Sequence, residues 1–184
     1  IVLPVAPWVF GCAGAAYALL PQLLSKSAGE APIAFSGLMT VITLGCGVGV
    51  QMLGKVIDTS RSARASAVAM GVITVGTILG AVASSTRLLP LGIAGAAVMG
   101  AGYGLALVAG LSEVQRIARA EELAGLTAVY YSVSYTGFFI PMAFSALAPL
   151  LGFTTLFLIG AVLALCCLVN VVLGWRAHLP GPVR

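Results

Sequence analysis

Apolar residues run through this chain in six long stretches, approximately Leu3 to Leu24, Ile33 to Leu53, Ala65 to Ser85, Leu88 to Leu111, Ala124 to Ala148 and Phe153 to Gly174. Wound as an α-helix rising about 1.5 Å per residue, each is long enough to cross a hydrocarbon core of roughly 30 Å. None carries the apolar–polar alternation of a barrel strand, and helices satisfy their own backbone hydrogen bonds where water is absent. The pattern predicts an all-α membrane protein, with residues 1–184 as a single bundle of six transmembrane helices. Chemistry that stops helices marks the breaks: the small, polar and charged run Ser25 to Pro32, the run Ser84 to Pro90 with Arg87 and a proline, and a turn over Pro149 to Gly152.

Charge gives the bundle an expected orientation. With the first residue on the cytoplasmic side, the inner loops and tail hold Lys55, Arg61, Arg64, Arg116, Arg119, Arg176 and Arg184, against Lys26 and Arg87 outside. The positive-inside rule then places both termini in the cytoplasm of a plasma (inner) membrane protein. The chain opens at Ile1 without a methionine or a charged leader, which is expected of a piece of a longer protein, and the first stretch reads as a true span rather than a signal peptide.

Composition narrows the function. Only 8% of the 184 residues are charged, 60% are hydrophobic, and mean hydropathy is +1.12. Six spans of about 20 residues leave no room for a separate soluble domain, so a soluble enzyme, a nucleic-acid-binding module and a disulfide-built domain are set aside. Cys12, Cys46, Cys166 and Cys167 fall inside apolar runs without C-x-x-C spacing, and the one histidine, His178, is in the tail. These features suggest no metal and no cofactor. No G-x-S-x-G elbow, H-E-x-x-H helix or phosphate-cradling loop is present, and the expectation is a protein that is not an enzyme.

Candidate chemistry at membrane depth is therefore made of hydroxyls and amides: Tyr17, Gln22, Gln51, Tyr103, Tyr130, Tyr131, Ser134, Tyr135 and Asn170. Tyr131, Tyr135, Phe138 and Met142 share one face of the fifth helix by their i, i+4, i+7 and i+11 spacing. That face either lines a cavity, offering hydrogen bonds and stacking to a small organic solute, or packs between helices and near the interface. Small residues recur every fourth position in the fourth helix at Gly92, Ala96, Gly100 and Gly104, and in pairs at Gly45 with Gly49 and Gly76 with Gly80. Such stripes let helix backbones approach closely. Pro141 is expected to bend the fifth helix by removing one backbone hydrogen bond. Between the fourth and fifth helices, Ser112 to Leu123 reads as a short surface helix, with Ser112 and Gln115 at capping-box spacing and Glu113 with Arg116 on a solvated face in preference to a lock on the cytoplasmic gate.

The turn after the second helix reads Gly45, eight residues, Gly54, three residues, Asp58, then Arg61 and Arg64. Here the chain resembles the C-terminal six-helix half of a major facilitator superfamily transporter. That family's signature between its second and third helices runs G, eight residues, G, three residues, D, a basic residue, any residue, G and two basic residues, with a weaker copy in the second half. Gly45, Gly54 and Asp58 match it, while Thr59, Arg61, Ser62 and Ala63 depart from it and Arg61 and Arg64 keep basic charge nearby. The stretch Glu121 to Ala148, with Ala124 and Gly125 at its start and Gly137 followed by Pro141, looks like the family's eleventh helix. Leu151-Gly152-Phe153 leading to Phe157 looks like the start of its last.

The resemblance implies a 3+3 inverted-repeat bundle, half of a twelve-helix secondary active transporter, moving a small-molecule solute across the lipid bilayer by alternating access. Its partner would be the N-terminal six-helix half of the same protein. The first, second, fourth and fifth helices would border the cavity, with Gly11, Tyr17, Tyr103, Tyr131, Tyr135 and Phe138 as substrate-cavity candidates, and the third and sixth would face lipid. Gly45, Gly54, Asp58, Arg61 and Arg64 would form a gating loop, and Gly100, Gly104, Gly137 and Pro141 would serve helix bending or packing. The alternative is a six-helix membrane assembly module, or pseudo-transporter, without transport activity.

Overall fold

The computed structural model describes residues 2–29, 31–57 and 63–174 of the chain. Six of its helices are long and apolar enough to cross a membrane. They are α1 (Val2–Leu24), α2 (Pro32–Ile57), α3 (Arg64–Thr86), α4 (Leu89–Ile117), α5 (Leu123–Leu151) and α6 (Phe153–Gly174). The described residues contain no strand, and the protein is an all-helical membrane protein.

Two helices change their winding midway, each next to a proline. In α1, Leu20 N–H bonds the Ala15 carbonyl, so Ala15–Leu19 forms a π turn immediately before Pro21. Pro21 has no N–H for the Tyr17 carbonyl, and a wider turn accommodates its ring. In α5, Pro141 leaves the Gly137 carbonyl without its usual donor, and Thr136–Phe138 tightens into a 3₁₀ turn closed by Phe139 N–H to the Thr136 carbonyl.

The helix ends follow from equally local causes. Arg87 closes α3 in the left-handed conformation (φ 58°), with its N–H on the Ala83 carbonyl. Leu88 is extended, and Pro90 stands in the first turn of α4, where a missing N–H costs nothing. The Arg87 Nη1 also donates to the Leu23 carbonyl at 2.7 Å, tying this corner to the last turn of α1. The expected turn over Pro149 to Gly152 is corrected: α5 runs through Pro149 to Leu151, and Gly152, at φ 74°, ends it alone. A proline in a last turn removes one bond, whereas unwinding three more apolar residues would expose several backbone groups to hydrocarbon.

The expected surface helix between α4 and α5 is also corrected. Gly110, two residues before Ser112, is packed against Tyr130 and does not end the helix, and α4 continues to Ile117, burying Glu113 and Val114 on the way. The connection is only Ala118 to Glu122, held by Leu123 N–H to the Arg119 carbonyl.

Helix packing places α4 at the centre. It meets α2, α3 and α1 along its length and α5 towards its end, while α5 lies along α1 and α6 along α3. Glycines set the closest approaches. A Cβ on Gly100 would overlap the Thr43 carbonyl, and one on Gly104 the Gly47 carbonyl, so α2 and α4 touch backbone to backbone. A Cβ on Gly137 would run into the Pro7 carbonyl and the Gly11 amide, so α5 meets α1 in the same manner. Across α3, Gly76 receives Met99 of α4, Gly80 receives the Phe157 ring of α6, and Thr154 Oγ1 lies 3.2 Å from Ser84 Oγ. Gly45 and Gly49 differ from the expected pairing: nothing lies within 4 Å of a Cβ on either, and Thr43 and Gly47, two residues offset, face α4 instead.

Coverage is uneven. Only 11% of the α5 span and 22% of the α2 span is buried in the chain, against 56%, 61% and 50% for α1, α3 and α4. The third helix, expected to face lipid, is thus the most covered, because it is wedged between α4 and α6 and turns out only a stripe through Val68, Val75, Ile78 and Val82.

Candidate functional site

Phe10, midway along α1, organises an aromatic face. Its ring stacks on Tyr135 (centroids 5.0 Å apart, planes 8° apart) and on Phe138 (4.9 Å, 17°), and Tyr103 of α4 tilts against it at 6.0 Å. Tyr131 extends the group one turn along α5, 6.3 Å from Tyr135. The 3₁₀ turn follows Tyr135 directly and ends at Phe138, so the two rings lie nearly parallel, at 14°. Offset stacks of this kind add about 0.5–1.5 kcal/mol per pair beyond burial. They hold the rings without covering them: Tyr135 is 53% exposed and Phe138 44%.

Four of the six expected cavity residues, Tyr103, Tyr131, Tyr135 and Phe138, therefore come together on one surface. Tyr17 lies in the π turn, half-buried, without a ring contact to the group. Gly11 is buried beneath Ile140 and the Gly137 carbonyl, as part of the α1–α5 crossing rather than of an open surface. Among the described residues, the hydroxyls of Tyr103, Tyr131 and Tyr135 make no hydrogen bond, whereas Tyr130 Oη, buried on Gly110, donates to the Ala106 carbonyl at 3.1 Å. The adjacent tyrosines thus divide between packing at 130 and an available hydroxyl at 131.

Phe10 is not among the residues the sequence singles out, because it carries no hydroxyl or amide and does not share a helix with Tyr131 and Tyr135 as Phe138 and Met142 do. Its signal is positional: with Tyr17 it shares a face of α1 at i, i+7 spacing. Met142, on the expected face of α5, is 62% exposed, continuing the uncovered stripe beyond Phe138.

The remaining candidates are spread along the bundle. Gly45 is exposed on α2, Gly54 falls near the end of that helix, and Arg64 opens α3 with an exposed side chain. Asp58 and Arg61 lie outside the described residues. Gly100, Gly104 and Gly137 stand at the backbone contacts given above, and the Pro141 ring fills the space that a Cβ on Gly14 would occupy. Glu113, expected on a solvated face, is instead 2% exposed and accepts from Arg116 Nη1 at 2.6 Å. The signal was present in the spacing, since Gly102, Ala106, Ala109 and Glu113 continue one buried stripe of α4.

The aromatic face carries no charged side chain. It offers flat π surfaces and three hydroxyls, groups that stack on, and hydrogen-bond to, a small organic molecule. Groups of three or more His, Cys, Asp or Glu able to hold a metal are absent among the described residues. Compared with known protein families, curated proteins and solved structures, the chain matches none.

Proposed function

We propose that the chain is the C-terminal six-helix half of a secondary transporter resembling the major facilitator superfamily, moving a small organic solute by alternating access. The observation that carries this reading is the uncovered aromatic face on α1, α4 and α5, whose Tyr103, Tyr131 and Tyr135 hydroxyls are unspent. Further support comes from the helices that carry least coverage, α2 and α5, which flank α4 and α1 and would meet an N-terminal half across a central cavity. The pairing of α2 with α4 and of α5 with α1 also fits a 3+3 inverted repeat, in which these two contacts are equivalents. On this reading both termini are cytoplasmic, the plasma (inner) membrane is the site of action, and the connection that carries Asp58 and Arg61, flanked by Gly54 near the end of α2 and Arg64 at the start of α3, serves the cytoplasmic gate.

The test uses the complete protein with its native cysteines replaced and Tyr135→Cys introduced. A water-soluble thiol reagent should modify that position, and substrate should slow the reaction. Absence of modification from either side of the membrane, together with no uptake into proteoliposomes for any substrate class or ion gradient, would leave the non-transporting assembly module as the better account.

A further inference from the structure

The two basic residues at the α1–α3 end of the bundle open onto one crevice. Lys26, in the turn after α1, and Arg87, in the turn after α3, line an open space of about 470 Å³ together with Gln22, Ser25, Ser27 and Phe153. No acidic side chain among the described residues lines it; Glu30, in the same connection by sequence, lies outside them. Neither cation has an ion-pair partner among the described residues. Arg87 spends Nη1 on the Leu23 carbonyl, which fixes the guanidinium in place and leaves most of its five N–H donors for another acceptor. Two positive charges on one crevice without a counter-charge among the described residues favour an anion, and Arg is suited to the paired oxygens of a phosphate.

Location and the neighbouring surface indicate what kind of anion. α1 and α3 end here and α4 and α6 begin, so the crevice lies at the polar boundary of the bilayer, at the depth of lipid phosphates. Gln22 and Ser25 also border a second open groove of about 530 Å³ that descends between α1 and α2 along Ala18, Pro21, Ile33 and Gly37. Two hydroxyls on that groove are already spent, Ser25 on the Gln22 carbonyl (2.9 Å) and Thr40 on the Ser36 carbonyl (3.0 Å). A polar, cationic head site thus leads into a groove of mixed lining, where Ala18, Pro21, Pro32, Ile33 and Gly37 supply the apolar part.

We propose that this pair of spaces binds an anionic phospholipid, its phosphate ester held by Lys26 and Arg87 and an acyl chain lying in the α1–α2 groove. This assignment is independent of whether the chain transports anything. The whole chain, purified in a neutral detergent, is titrated with phosphatidylglycerol, phosphatidylcholine or glycerol 3-phosphate, and bound lipid is counted by native mass spectrometry. Phosphatidylglycerol should bind at least several times more tightly than phosphatidylcholine. Lys26→Gln should weaken it about fivefold, the effect of one basic residue beside an anionic headgroup, and Ser27→Glu at least as much. Both positions are exposed in a turn, so both variants should keep the wild-type circular dichroism and melting temperature. Equal binding of the two lipids, or unchanged phosphatidylglycerol affinity in both variants, would overturn the site. Competition by glycerol 3-phosphate as strong as that by the lipid would overturn the acyl-chain part and reassign the crevice to soluble phosphate esters.

Discussion

Single atoms decide how near the helices come. At Gly104 the missing Cβ is where the Gly47 carbonyl sits, and no rotamer change relieves a clash with a backbone oxygen. Gly104→Ala should therefore push α2 from α4 and destabilise the chain by about 1–3 kcal/mol, the usual range for overpacking. Gly45→Ala, in open space on the same pair of helices, should leave thermal unfolding of the purified chain in detergent unchanged. Equal effects of the two would mean that α2 and α4 do not meet at Gly104. The tyrosines allow a similar comparison. Tyr130→Phe deletes the bond to the Ala106 carbonyl and should cost about 0.5–1 kcal/mol in the same melt. Tyr135→Phe deletes a hydroxyl without a partner among the described residues and should cost nothing measurable, while weakening binding of any solute that uses it.

Among the elements, α1 and α5 are distinctive because each is wound irregularly where the other touches it. The Gly137 carbonyl, which Pro141 deprives of its usual donor, lies beside Gly11, and the Pro141 ring packs on Gly14, one residue before the π turn. Pro141→Ala would return a donor for that carbonyl and remove the ring. Hydrogen exchange across residues 136–141 should then slow as ordinary helical bonding resumes; unchanged exchange would show that packing on Pro7 and Gly11, rather than the proline, dictates the 3₁₀ turn. The proline itself was legible in the sequence, as were the six spans, since hydrophobic runs of this length have few other solutions in a bilayer. The direction of the adjustment was not legible. A proline is compatible with a kink, a π turn or a tightened turn, and the two prolines go with different ones, a π turn ahead of Pro21 and a 3₁₀ turn ahead of Pro141. The lengths of α4 and α5 were likewise underestimated, because Glu113 and Pro149 read locally as ends and only tertiary burial or hydrocarbon surroundings carry the helix past them.

For the molecule as a whole, what covers the exposed faces separates the two accounts of what the bundle does. Apolar side chains point outward on every side, as they must where the solvent is lipid, so exposure alone does not separate a lipid-facing surface from one that meets a second bundle. Sequence pattern fails there for the same reason: Val48 of α2, 64% exposed, and Val162 of α6, 59% exposed, have the same chemistry. What differs is the helix each belongs to, because α2 carries little coverage and lies against α4, one wall of the aromatic face, whereas α6 lies along α3. If the chain is half of a transporter as proposed, a spin label at position 48 of the complete protein in a bilayer should be screened from dissolved oxygen by the other half, and one at position 162 should meet it freely. In the isolated 184-residue chain the two labels should become alike. Equal oxygen access in both preparations would mean that nothing covers α2, and the aromatic face beside it would then be a lipid-facing or assembly surface rather than the wall of a transport cavity.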